Sequence, residues 1–125
     1  MAHAVGMDAD DARAVLLREF GAEDGSFLIR LRADLAWDRA AFTRLERAMR
    51  AVCADSAGDE LLDRRLAEGF YHLATWVGPW TSHPDFPRPS PAEYYDACLE
   101  RLGDLADWYF RGEHAYVEPH TWPEL

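Results

Sequence analysis

Lysine, asparagine and glutamine are absent from the 125 residues, and isoleucine occurs once, at Ile29. All 13 basic residues are therefore arginine. With alanine, arginine, glycine and aspartate so abundant, the bias points to a GC-rich bacterial genome and says nothing of activity. Its physical consequence is that exposed helix faces are solvated by Arg, Asp and Glu alone. Long apolar runs are missing too. The longest uncharged, apolar-leaning stretch, Gly69 to Ser82, falls short of the ~20 residues that cross a bilayer, and Pro79 interrupts it. The start, Met1-Ala2-His3-Ala4-Val5-Gly6, has neither a basic cluster nor an apolar run, so no secretory signal is expected. The two cysteines, Cys53 and Cys98, are far apart, without a CxxC partner, and fall on apolar helical positions. They read as small buried thiols in a reducing compartment. A cytoplasmic location is the expectation.

Chemical motifs are missing as well. There is no GxGxxG and no Walker loop, and the eight glycines fall mostly at element ends, which leaves no phosphate cradle. Ser26, Ser56, Ser82 and Ser90 stand outside any Gly-x-Ser-x-Gly. HExxH is absent, and no acid lies three residues before His3, His72, His83, His114 or His120, as helical di-metal sites require. The sequence calls for no metal and no cofactor, and it points to a binding protein rather than an enzyme.

What is present is helical periodicity. Hydrophobic residues make up 49% of the chain, which argues against disorder. The length suits one domain, typically ~100–150 residues, spanning 1–125. A first helix is expected from Asp8 to Phe20, with Asp8, Asp10 and Asp11 at its positive end and Gly21 after it. Ser26 to Trp37 fits helical spacing through Phe27, Leu28, Leu31 and Leu35, but Phe27, Ile29 and Leu31 also alternate as a strand would. A third helix runs from Asp38, its N-cap, to Ala54. A fourth runs from Asp59 to Val77, stopped by Gly78-Pro79. Ser90-Pro91-Ala92-Glu93 reads as a capping box opening the fifth helix, which Gly112 closes in a left-handed cap. Strand pairs are not apparent. The expected architecture is all-α: a four- to five-helix bundle with a Pro/Trp-rich loop over Trp76–Pro91 and an irregular tail from Glu113. Residues 1–7 and 119–125 are expected to be flexible or irregular.

Charge bears on partners. A net charge of −10 disfavours nucleic acid, whose binders need a basic face, and disfavours anionic membranes; it would attract a cationic partner. Glu93, Asp96, Glu100, Asp104 and Asp107 recur at steps of three and four, in one stripe opposite the apolar face of the fifth helix. Such a stripe is either a hydrated outer face or a docking strip for a basic protein; a solvated stripe gives no desolvated acid for catalysis. Between residues 30 and 50 six arginines face three acids. Arg39, Arg47 and Arg50 share one side of the third helix and are expected to pair with acids of neighbouring helices.

The most unusual stretch is Trp76 to Pro91, with five of the seven prolines together with Trp76, Trp80, His83 and Phe86. Its aromatics either plug a bundle end or recognise something. His72 and Glu68, four apart on the fourth helix, could add polar handles. Tyr71 and Phe110 sit off the main apolar faces and need a cover, from the tail aromatics Tyr116 and Trp122 or from a second subunit, and a homodimer is the expectation. The leading functional expectation is a small acidic interaction protein that binds or inhibits a basic protein. The alternative is a small-molecule-binding domain or enzyme with a pocket between the helices and the Trp76–Pro91 loop.

Overall fold

A computed structural model describes residues 7–125. Among these the chain is all-helical, without strands: α1 (Ala9–Phe20), α2 (Phe27–Ala33), α3 (Arg39–Asp55), α4 (Arg64–Thr81) and α5 (Ala92–Arg111). Expectations for residues 1–6 lie outside the described residues. The helices form a bundle in which α1 packs mainly on α3 and α4 on α5, while the α3–α5 contact joins the two pairs.

Four of the helices start on a side-chain cap. Asp8, Ser26, Asp38 and Asp63 each accept a backbone N–H of the first turn that has no helical partner. Asp63 also pairs with Arg13 of α1, and that guanidinium holds its carboxyl below the usual carboxylate range. The ambiguous Ser26–Trp37 segment is settled by the Ser26 cap: its hydroxyl accepts from Ile29 N–H at 3.1 Å, and Phe27, Leu28 and Leu31 turn inward. The helix stops four residues sooner than expected, at Ala33, because Leu35 turns left-handed at φ 51°.

Both ends of α4 and the start of α5 differ from the sequence reading. α4 starts at Arg64 rather than Asp59, and it runs through Pro79 to Thr81. Proline costs an interior helix ~3 kcal/mol through its missing N–H and its ring clash. Here only the last turn follows it, and that turn is held from outside. The Thr81 hydroxyl bonds the Val77 carbonyl at 2.7 Å and the Tyr95 hydroxyl at 2.6 Å, and the Trp80 indole bonds Leu31 of α2. The capping box at Ser90 does not form. Pro91 is the N-cap of α5, no side chain caps that end, and the Ser90 carbonyl instead accepts from Arg39 at 3.1 Å. Gly112 closes α5 in the left-handed region at φ 85°, as its position predicts.

The core is filled by Leu16, Phe27, Phe42, Met49, Phe70, Leu73, Leu102 and Leu105, among others. Phe70 and Tyr109 stack across α4 and α5 with centroids 4.3 Å apart. Gly69 sits where the Phe20 ring lies flat on α4; a Cβ there would overlap the ring.

The tail is irregular, as expected, but docked. Pro123 accepts from Arg101 at 2.8 Å, the Leu125 carbonyl accepts from the Thr43 hydroxyl at 2.6 Å, and Glu124 pairs with Arg47 and Arg50. Arg47 and Arg50 thus meet an acid of the tail, while Arg39 lies over the Tyr94 ring, 3.6 Å from its centroid. Pairing with acids of neighbouring helices is not how these three are used. Trp122 stacks on Trp108, and Tyr116 stacks on His120. The tail aromatics therefore leave Tyr71 and Phe110 exposed, at 63% and 46% of their surface.

Candidate functional site

Helical spacing places His72, Trp76 and Trp80 one turn apart along α4. Their rings form a column, with centroids 5.3 Å and 5.1 Å apart and planes within 20° of parallel. Trp76 and Trp80 thus belong to the helix rather than to the loop. The Trp80 indole N–H is spent on the Leu31 carbonyl at 3.0 Å. Beyond Thr81 the loop folds back. The Ser82 hydroxyl donates to Pro79, the Asp85 amide donates to His83 Nδ1 at 3.1 Å, and Arg88 donates to the Thr81 carbonyl at 3.1 Å. These bonds bring Phe86 into the core.

The result is an open groove of about 380 Å³ bounded by Leu35, Pro79, Trp80, His83, Asp85 and Phe86. Three of the six residues singled out in sequence, Trp80, His83 and Phe86, line it together. Trp76 and His72 continue the ring column away along α4. Glu68 lies exposed a further turn on, and it forms no ion pair with His72. Leu35, from the turn between α2 and α3, was not foreseen, because nothing but a glycine or asparagine flags a left-handed position in sequence.

The acidic row of α5 divides in two. Glu93, Asp96 and Glu100 are exposed and have no ionic partner among the described residues. Asp104 accepts from the Tyr116 hydroxyl, and Asp107 pairs with Arg111 at 2.7 Å, so both are occupied within the chain.

Sequence reasoning also missed a buried ionic network between α3 and α5. Glu46 is 1% exposed and Arg101 6%. One Glu46 oxygen accepts from Arg101 Nη1 at 2.6 Å and lies 2.6 Å from Arg50 Nε. Arg101 holds the tail through Pro123 and lies 5.2 Å from the Trp122 ring. The spacing carried a signal. Glu46 falls between Phe42 and Met49 on the apolar side of α3, and Arg101 falls between Cys98 and Leu105 on that of α5.

Other reactive groups are quiet. Cys53 and Cys98 are free and buried; burial pushes the Cys53 thiol up and the Cys98 thiol up to about 11, so neither is a nucleophile at neutral pH. Glu19, 3% exposed, accepts the Phe27 amide, and burial pushes its carboxyl up to about 7 against that bond and Arg44. His114 accepts the Tyr116 amide at Nδ1, which leaves Nε2–H to donate to Glu118 at 2.9 Å. Among the described residues no group of three or more His, Cys, Asp or Glu is placed to hold a metal, and no helix is long and apolar enough to cross a membrane. No protein-family model, curated protein or solved structure matches the chain.

Proposed function

We propose that the chain is a non-enzymatic binding protein that docks a basic protein partner, with the N-terminal half of α5 supplying the contact. The observation behind this reading is that Glu93, Asp96 and Glu100 stand on successive turns, exposed and unpaired among the described residues. An overall charge of −10 adds long-range attraction, which raises encounter rates with a cationic surface. Inhibition of the partner would follow wherever its basic patch is also its working surface.

A defined probe tests this. The protein is titrated with acetylated hexa-arginine at low and high ionic strength, alongside the Glu93→Gln/Asp96→Gln/Glu100→Gln variant. Binding that weakens with salt and weakens again in the variant is the expected result. Equal affinity for protein and variant at low salt would refute a role for this row. Self-association is the accompanying proposal, motivated by exposed Tyr71 and Phe110. Light scattering at two concentrations checks it, with Tyr71→Ser expected to return a dimer to monomer.

A further inference from the structure

We infer that the groove between the α2–α3 turn and the end of α4 is a socket for an arginine side chain of the partner, stacked on Trp80 with its charge at Asp85. The inference rests on the reading that the partner is basic and adds where it is anchored. Leu35, Pro79 and Phe86 give the groove apolar walls, and the Trp80 N–H is already spent on Leu31 and one ring face on Trp76, which leaves the other ring face as the recognition group. The one carboxylate on the lining is Asp85, 89% exposed, with no arginine partner among the described residues and only His83, at 3.9 Å, beside it. An apolar groove lined by a tryptophan and an exposed carboxylate suits a planar cation on an apolar stem. Arginine fits that description; lysine, a compact and strongly hydrated point charge, fits it less well. Elsewhere in the same molecule Arg39 lies over Tyr94 at 3.6 Å.

A second, independent observation comes from Leu35. It carries φ 51°, a region that disfavours side chains with a Cβ, and the residue is 45% exposed beside the groove. Glycine would relieve the backbone there and remove the exposed apolar surface. A leucine that incurs both costs at one position is explained when its side chain has a partner. The socket also lies at the same end of the bundle as Glu93 and Asp96, because the loop over residues 82–91 joins α4 to α5 and Tyr95 bonds Thr81 at 2.6 Å. Basic residues flanking the anchoring arginine would therefore meet the acidic row.

The test follows the five tryptophan indole resonances and the Leu35 methyls by NMR during titration with acetylated, amidated hexa-arginine and hexalysine. Trp80 and Leu35 shift to saturation with hexa-arginine, and hexalysine binds several-fold more weakly. Trp80→Ala lowers the affinity by about tenfold, the loss expected of one desolvated cation–π contact. Asp85→Asn lowers it by about two- to fivefold, as for an exposed ion pair. Leu35→Gly leaves the melting temperature unchanged or higher yet weakens binding, which keeps the test valid should Trp80→Ala disturb the fold. Binding that shifts Glu93, Asp96 and Glu100 while Trp80 and Leu35 stay silent overturns the socket and leaves the acidic-row reading standing. A response of Trp80 and Leu35 that survives the triple glutamine variant at full affinity keeps the socket and removes the row. Absence of any hexa-arginine binding at low ionic strength overturns both. Saturable shifts with neutral indole and none with hexa-arginine overturn the socket in favour of a small-molecule site.

Discussion

Replacing Arg101 by methionine tests how the buried network organises the bundle and its tail. The substitution keeps a long apolar stem and removes the guanidinium. Glu46, 1% exposed, then loses its Arg101 partner at 2.6 Å and keeps only Arg50, whose side chain is 24% exposed. Leaving a buried charge without its partner costs ~3–5 kcal/mol. Because Arg50 still pairs with Glu46, the lower end applies, and loss of the Pro123 hydrogen bond adds about 1 kcal/mol. The expected cost is thus about 4 kcal/mol, a large share of the ~5–15 kcal/mol that holds a domain of this size together. At roughly 3–6 °C per kcal/mol, the melting temperature falls by about 12–24 °C. Circular dichroism melts at pH 7 and fixed salt read the stability, and tryptophan emission reads release of Trp122 from Trp108. The paired variant Glu46→Leu/Arg101→Met removes both charges, and it recovers most of the loss, because two apolar side chains owe no desolvation. If Arg101→Met costs less than about 1 kcal/mol, the usual range of a surface pair, the network does not have the buried character assigned to it. A double variant as damaged as the sum of the singles refutes the reasoning equally.

Leu102→Ala, at a site 1% exposed, lowers stability by about 2–5 kcal/mol, whereas Asp104→Ala, which removes one partly exposed bond to Tyr116, costs under about 1 kcal/mol; thermal melts under one buffer compare them. Gly69→Ala is destabilising by about 1–2 kcal/mol, as overpacking against Phe20 outweighs the better helix propensity of alanine; chemical denaturation measures it, and a stabilised variant would show that the ring moves aside freely. For Glu19 the folded-state pKa, about 7, lies above its ordinary 4.5, so the unfolded chain gives up its proton first. Stability is then lost as pH rises from about 4.5 to 7 and stays lower above that, by roughly 3 kcal/mol for this group. Glu19→Gln keeps an acceptor for the Phe27 amide and abolishes that decline, so the two proteins match near pH 4 and the variant is the more stable at pH 8.

Legibility in the sequence followed the range of the forces involved. Where local forces decide, the residues spoke for themselves. Asp8 and Asp38 start helices from where they stand, Gly112 takes the left-handed position that its place after α5 requires, and the apolar repeats of α3 and α5 mark the faces that are buried. Where a partner distant in sequence decides, they did not. Pro79 reads as a stop because nothing nearby says that Tyr95 and Leu31 will hold the next turn. Ser90 reads as a cap because nothing nearby says that its carbonyl will receive Arg39. The acidic row of α5 lay between these cases: its stripe could be read, but the tail that takes Asp104 could not. The groove shows the same division. Trp80, His83 and Phe86 could be gathered from one stretch of chain, whereas Leu35 arrives from a turn some forty-five residues earlier and betrays itself only by its backbone angle. A site assembled from α4, the loop after it and the α2–α3 turn therefore shows sequence reasoning the part that one stretch of chain carries, with five of its six lining residues between Trp76 and Pro91. The missing sixth is the strained residue, because strain exists only in the folded chain, where the surrounding packing holds the backbone against its own preference.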